Sequence, residues 1–103
     1  AAGHDALIED LDGDGRRDVV VVDLVGGAVV VIWNDAGGLT PSTPIAVGDT
    51  PDMADAADLD GDGLLDLAVV CRGDATARVL RQTSPRSFTA DAPLPRGASA
   101  LGR

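Results

Sequence analysis

Carboxylate side chains are concentrated in two loops of the 103-residue chain, residues 10–18 and 58–66. Both loops follow the pattern D-L-D-G-D-G-x-x-D and are identical at seven of nine positions. Four aspartates this close together repel one another unless a cation lies between them. Glycine at the fourth and sixth positions tolerates positive φ and lets each loop fold its carboxylates toward one centre. The loops therefore predict two cation sites.

The oxygen-only chemistry of these loops favours calcium. Ca²⁺ takes about six to eight oxygen ligands, Mg²⁺ prefers fewer protein ligands, and zinc or copper favours His and Cys. The predicted ligands are the four aspartates and the main-chain carbonyl at the seventh position. In the first loop they are Asp10, Asp12, Asp14, Asp18 and the carbonyl of Arg16. In the second they are Asp58, Asp60, Asp62, Asp66 and the carbonyl of Leu64. We expect two Ca²⁺ per chain.

Two other interpretations of the loops compete with this one. An EF-hand loop begins in the same way, but it needs a bidentate Glu at its twelfth position and helices on both flanks. Here the twelfth position is Val21 or Val69, inside an aliphatic run that is typical of a strand. Alternatively, the aspartates only form polar turns, in which Asp-Gly pairs are common. Recurrence of the whole pattern weighs against that simpler explanation.

The elements around the loops are predicted to be β-strands in a repeat of 48 residues. In the first repeat the expected strands are residues 6–9, 19–22, 28–33 and an edge strand around 43–47. Gly26-Gly27 indicates a hairpin turn between the second and third strands. Prolines near the last strand suit a sheet edge. The sequence predicts an all-β chain of two four-stranded antiparallel units, residues 1–48 and 49–96, followed by a tail at 97–103.

The loop pattern, the aliphatic strand after it and the triplets Gly38-Leu39-Thr40 and Ser87-Phe88-Thr89 resemble the FG-GAP or VCBS repeat family. The resemblance covers essentially the whole chain. It implies that each unit is a blade of an integrin-like β-propeller and that each loop binds calcium through the ligands named above. The second repeat departs from the first by lacking the Gly-Gly turn and by carrying Arg78 and Arg81 in its third strand.

Two blades leave two sheet faces uncovered, because propellers close with about four to eight blades. The expected partners are therefore further blades of a longer chain or other copies of this one, with three or four copies closing a ring. The tail at 97–103 is positioned to enter the next blade.

Composition excludes several classes of function. The net charge of −9, with 17 acidic and 8 basic residues, argues against a nucleic-acid partner. The longest stretch of low charge, residues 19–33, is too short for a membrane span. No nucleophile–base set is visible, so an enzyme is not expected. We expect a calcium-stabilised structural or binding module, extracellular or at the cell surface. Its expected ligand is a glycan or a protein. The alternatives are a sugar-binding propeller lectin using Trp33 and a non-catalytic propeller segment of a polysaccharide-active enzyme.

Overall fold

The chain forms two antiparallel β-sheets in the computed structural model, which describes residues 6–42, 44–91 and the backbone of residues 94–95. The strands are β1 (Ala6–Glu9), β2 (Asp18–Asp23), β3 (Ala28–Asp35), β4 (Gly38–Pro41), β5 (Ile45–Ala46), β6 (Pro51–Ala57), β7 (Asp66–Cys71), β8 (Thr76–Ser84), β9 (Ser87–Ala90) and β10 (Leu94–Pro95). These described residues contain no helix, so the all-β prediction is confirmed. The predicted tail lies outside the described residues.

Sheet 1 is a meander of β1, β2 and β3 that ends on β4, with β5 also paired to β3. Its centre is the valine-rich β2–β3 hairpin, whose β-branched side chains favour extended backbone. The register pairs Val20 with Val31 and Asp23 with Ala28. Gly27 lies in the turn at φ 66°, a conformation that glycine adopts without strain. The predicted hairpin is therefore confirmed.

The fourth strand of sheet 1 is broken into β4 and β5. Both segments pair with β3, one through Asn34 and Leu39 and the other through Val29 and Ile45. Between them, the Ser42 N–H donates to the Val31 carbonyl (2.7 Å), and the Ser42 hydroxyl accepts from the Val31 N–H (3.0 Å). The sequence predicts one edge strand around 43–47, whereas pairing already begins at Gly38. The paired edge is longer than predicted because the main chain and the side chain of Ser42 both bond to Val31 and bridge the break between β4 and β5.

Sheet 2 repeats this plan in the order β10-β8-β7-β6, with β9 also paired to β8. In its β7–β8 turn, Ala75 takes the left-handed conformation (φ 55°) at the repeat position of Gly27. Strand β8 is continuous through Arg78 and Arg81. The side chain of Arg78 pairs with Asp74 (3.1 Å) and that of Arg81 with Asp91 (2.7 Å). The arginines of the second repeat therefore leave its strand order intact.

The two sheets are stacked face to face around one hydrophobic core. Sheet 1 contributes Val20, Val29, Val31 and Trp33 to it, and sheet 2 contributes Leu67, Val69, Cys71 and Leu80. Because alternate residues of a strand lie on opposite faces, one face of each sheet enters this core and the other faces away. Stacking also buries Leu11 at the start of loop 1. Within the described residues, no helix has the length and apolar character that crossing a membrane requires.

Candidate metal centre

Each acidic loop connects the first strand of its sheet to the second. Loop 1 lies between Glu9 and β2, and loop 2 lies between Ala57 and β7. Gly13 and Gly15 in loop 1 have φ angles of 75° and 88°, and Gly61 and Gly63 in loop 2 have φ angles of 79° and 88°. The expectation that both glycines of each loop adopt positive φ is confirmed. The loops have the same backbone design because the same residue types recur at the same turns.

The structure brings three of the four predicted aspartates together in each loop. In loop 1, one carboxylate oxygen each from Asp10, Asp12 and Asp18 lie within 4.8 Å of one another. In loop 2, the same holds for Asp58, Asp60 and Asp66. Oxygens that share a calcium ion at about 2.3–2.6 Å are separated by at most about 5 Å. The spacing and the all-oxygen chemistry therefore fit one hard cation per loop.

The last aspartate of each loop is buried and anchored by the backbone. Asp18 is fully buried, and its two oxygens accept from the N–H groups of Leu11 (3.0 Å) and Asn34 (2.8 Å). Asp66 is equally buried and accepts from Leu59 (2.9 Å) and Gln82 (2.8 Å). Burial raises the pKa of Asp18 above its ordinary value, although its two backbone hydrogen bonds oppose the shift. These carboxylates fix the loop to the strand that follows it.

The first aspartate of each loop shapes the turn itself. Asp10 accepts from the N–H groups of Gly13 (3.0 Å) and Gly15 (2.9 Å). Asp58 accepts in the same way from Gly61 (2.8 Å) and Gly63 (2.8 Å). The Gly63 N–H, followed by those of Gly61 and Asp62, lowers the pKa of Asp58 against the opposing effect of burial. Asp58 therefore stays ionised to lower pH than an ordinary aspartate, and its hydrogen bonds keep loop 2 closed around it.

The remaining predicted ligands lie at the rim of the loops. Asp14 and Asp62 are exposed, and neither belongs to the three-carboxylate set of its loop. Their side chains accept from the N–H groups of Arg16 (2.8 Å) and Leu64 (3.0 Å). Arg16 is exposed and Leu64 is half-buried. Coordination by Asp14, Asp62 and the carbonyls of Arg16 and Leu64 stays a prediction.

The two loops differ in how closely an arginine side chain approaches their carboxylates. Arg86, from the β8–β9 turn of sheet 2, reaches loop 1 and pairs with Asp12 (3.0 Å) and with Asp35. Burial raises the pKa of Asp12, but hydrogen bonds from Arg86 and Asp14 outweigh it and lower the pKa overall. In loop 2, Arg81 is 4.0 Å from Asp60, whose pKa is raised by burial and by Asp62. The net negative charge predicts that Arg78, Arg81 and Arg86 pair with acidic side chains, and these ion pairs confirm it.

A buried glutamine joins the two repeats beside loop 1, and sequence reasoning missed it. The Gln82 amide nitrogen donates to the carbonyls of Leu11 (2.7 Å) and Leu65 (2.8 Å), and its oxygen accepts from the Arg86 N–H (2.8 Å). At the same repeat position in sheet 1, Asn34 donates to the Arg17 carbonyl (3.0 Å). The sequence did contain a signal for this contact: an amide side chain follows the apolar part of the third strand in both repeats, Asn34 in the first and Gln82 in the second.

Arg86, Asp12 and Asp35 form an ion-pair cluster, the Arg86 cluster, which gives the protein an acid-sensitive contact between its sheets. Hydrogen bonding from Arg86, stronger than the opposing effect of burial, lowers the pKa of Asp35 below its ordinary value. A carboxylate whose folded pKa is lowered stabilises the protein above its unfolded pKa of about 3.9, and the contribution disappears as pH falls through the folded pKa. We expect Arg86→Met to make unfolding in chelator less dependent on pH between about 5 and 3. Urea titrations at these two pH values test this, and equal pH dependence in both proteins would contradict it.

Trp33 lies beside this cluster as a packing residue. It is 5% exposed, its ring stacks on Phe88 with centroids 6.2 Å apart, and the guanidinium of Arg86 lies 5.0 Å from its ring centroid. A depression of about 310 Å³ adjoins it, lined also by Ser42, Ile45 and Ser87. A sugar would need an open face of the ring, and little ring surface is available here.

Comparison with known proteins agrees with the repeat organisation. A family model described as FG-GAP-like repeat matches residues 10–69, which is more than half of the chain and includes both acidic loops. No curated protein sequence and no solved structure matches the chain. The family match and the two similarly built sheets lead to one conclusion: the chain belongs to the FG-GAP-like repeat family.

Proposed function

We propose that the protein is a calcium-binding β-propeller module with one ion in each acidic loop. The observation that carries the proposal is the recurrence of the same three-carboxylate set at the same place in both repeats, Asp10, Asp12 and Asp18 in one and Asp58, Asp60 and Asp66 in the other. Nine-residue loops of this pattern recur within a family match that spans both. Chance clustering of surface acids would not place the sets at equivalent positions.

The residues of the loops fit a calcium ion in complementary ways. Asp18 and Asp66 are held by two backbone N–H groups each, so their oxygens are positioned before any ion binds. The backbone restrains Asp12 and Asp60 least within their sets. Each side chain accepts one long hydrogen bond from a main-chain N–H, of 3.4 Å for Asp12 and 3.3 Å for Asp60. A bound Ca²⁺ would supply the positive charge that offsets carboxylate repulsion. The ion in this proposal is structural.

The proposed role is structural or binding, without catalysis, in an extracellular or cell-surface setting. Calcium sites of extracellular modules have dissociation constants of about 10⁻⁴–10⁻³ M, and open loops with short Asp ligands suit this weak class. A lectin that stacks a sugar on Trp33 is not favoured, because that ring is 5% exposed. The module supplies rigid blades whose loops are fixed when calcium is present.

Calcium titration with matched variants tests the proposal. Asp60→Ala removes one carboxylate from loop 2, whereas the control Asp49→Ala removes an exposed acid outside both loops, whose side chain accepts from the Thr50 hydroxyl (3.2 Å). We expect calorimetry to give two sites in the wild type and in the control, and one site in Asp60→Ala. At calcium concentrations near 100 Kd, each site stabilises the fold by about 2.7 kcal/mol. This corresponds to roughly 10–20 °C in melting temperature. Equal melting temperatures in calcium and in chelator would refute the proposal.

A further inference from the structure

The side chain of Arg86 divides its hydrogen bonds between two carboxylates of sheet 1. Its Nε–H donates to Oδ2 of Asp12 (3.0 Å). Its Nη1 (3.4 Å) and Nη2 groups donate to the two oxygens of Asp35. Asp12 belongs to the three-carboxylate set of loop 1, whereas Asp35 lies at the end of β3, outside both loops. One positive charge is therefore shared between a predicted calcium ligand and a carboxylate that is not part of the set.

Three contacts hold Arg86 in place without help from Asp12. The two hydrogen bonds to Asp35 form a fork, the arrangement in which arginine binds a carboxylate with most directional specificity. The guanidinium carbon lies 5.0 Å from the centroid of the Trp33 ring, within the range of a cation–π contact. The main-chain N–H of Arg86 donates to the side chain of Gln82 (2.8 Å). The positive charge is therefore fixed beside loop 1 by residues that are not among the predicted ligands.

Water screens the contact between Arg86 and Asp12 only weakly. The side chain of Asp12 is 6% exposed, whereas that of its counterpart in loop 2, Asp60, is 37% exposed. Nη1 of Arg81 lies 4.0 Å from the Asp60 carboxylate, and its Nε–H donates to Asp91 (2.7 Å). Charges that are shielded from water interact more strongly than charges in open solvent, because the effective dielectric constant is lower. Arg86 therefore acts on loop 1 more strongly than Arg81 acts on loop 2.

The positive charge of Arg86 opposes the binding of a second cation at the same carboxylate. Asp12 carries one negative charge, and the guanidinium already neutralises part of it. Calcium affinity depends on the charge that the ligands bring to the ion, so this contact lowers the affinity of loop 1. Asp35 acts in the opposite direction, because it draws part of the guanidinium charge away from Asp12. The affinity of loop 1 therefore depends on how Arg86 is shared.

Other charges of loop 1 make a plain comparison of the two loops a poor measure of this effect. Loop 1 carries Arg16 and Arg17 where loop 2 carries two leucines, so the loops can differ in affinity for a second reason. Asp35 provides the distinction, because it contacts the guanidinium from outside the loop. If the Arg86 cluster only positioned Asp12, loss of either partner would weaken calcium binding. Charge sharing instead predicts changes of opposite direction.

We propose that Arg86 sets the calcium affinity of loop 1 by sharing its positive charge between Asp12 and Asp35. Calcium binding and the contact between Arg86 and Asp12 then oppose each other, and by linkage each weakens the other by the same factor. Arg86 comes from sheet 2, whereas the carboxylates of the site come from loop 1. The packing of one sheet on the other thereby tunes the ion site. The proposal rests on the proposed function, since it concerns the ion of loop 1.

Calcium titration of loop 1 by calorimetry tests the proposal. The starting protein is Asp60→Ala, in which loop 1 is the expected site. Adding Arg86→Met should lower the dissociation constant about tenfold, because it removes a positive charge beside a ligand. Adding Asp35→Asn should raise it roughly threefold, because more of the guanidinium charge then acts on Asp12. Arg86→Gln, which keeps a side-chain donor without the charge, should follow Arg86→Met. Circular dichroism and urea unfolding in chelator check that each variant is folded during the titration.

The matched controls are Arg72→Met and Asp52→Asn in the same background. These two residues form an ion pair at the end of sheet 2 that lies away from loop 2. Each control should keep the dissociation constant within about twofold, because salt screens exposed charges at that distance.

Two results would overturn the proposal while calcium binding itself stands. One is a weaker affinity in both Arg86→Met and Asp35→Asn, which would mean that the Arg86 cluster only positions Asp12. The other is an unchanged dissociation constant in both variants. Absence of calcium binding by Asp60→Ala would also overturn it, and titration of the wild type then shows whether the proposed function fails as well.

Discussion

Replacing Asp18 by alanine should lower the free energy of unfolding by about 2–4 kcal/mol even after a chelator has removed divalent cations. The carboxylate is fully buried and is the acceptor for the N–H groups of Leu11 and Asn34. Alanine leaves both donors without this partner, and each unsatisfied buried group costs about 1–3 kcal/mol. For a domain of this size the melting temperature should fall by roughly 10–25 °C. Urea unfolding in chelator measures the effect.

The matched control for this experiment is Asp14→Ala in the same loop. Asp14 is exposed, and its side chain accepts the local N–H of Arg16 (2.8 Å). Its replacement should cost less than about 1 kcal/mol in chelator, because water can take over the lost hydrogen bond. Equal losses for the two variants would mean that Asp18 has no anchoring role of its own. A loss for Asp18→Ala that appears only in calcium would equally contradict the anchoring role.

Replacing Gln82 by leucine should lower the free energy of unfolding by about 3 kcal/mol or more, because it weakens the contact between the two sheets. Leucine has a similar size but leaves the Leu65 carbonyl and the main-chain N–H of Arg86 without the Gln82 side chain as partner. The Leu11 carbonyl keeps only the long 3.3 Å bond from the Leu65 N–H. Because Gln82 joins loop 1 to sheet 2, we also expect the sheets to unfold less cooperatively, with a lower denaturant m-value. Urea unfolding followed by Trp33 fluorescence and by circular dichroism reports both effects.

Asn34→Leu is the control that the repeat itself provides. Asn34 occupies the position of Gln82 in sheet 1, but it is half-buried and its amide donates to the carbonyl of Arg17 within its own repeat. We expect a loss of about 1 kcal/mol and an unchanged m-value. If the two variants were equally destabilised, the bonds of Gln82 across the sheets would add nothing beyond a local hydrogen bond.

Much of this architecture is predictable from the sequence because its signals are local and occur twice. The spacing of aspartates and glycines predicts the loops, and positive φ at Gly13 and Gly15 follows from their position in the pattern. Valine runs on either side of Gly26-Gly27 predict the central hairpin, which the register confirms. A repeat strengthens each of these predictions, since an accidental pattern would seldom recur at the same spacing.

The features that escaped prediction depend on how the two repeats stack. The sequence predicts that Arg86 pairs with an acidic side chain but not with which one, because Asp12 is 74 residues away along the chain. Gln82 is 71 residues away from Leu11, so that contact has no local signature. The separation of Asp14 from its three neighbours is also invisible in the spacing. The Asp14 side chain accepts from the Arg16 N–H in its own turn, and its coordination of a cation stays a prediction.

The break between β4 and β5 has a consequence for how sheets of this kind avoid aggregation. The strand at the outer edge of a sheet exposes unpaired N–H and C=O groups, to which a foreign strand can add without limit. Here the edge consists of two short pieces, with Pro41 at the end of one and Pro44 just before the other. Proline has no N–H to offer, and Ser42 turns its hydrogen bonds inward to Val31. The edge is therefore a poor template for fibril growth.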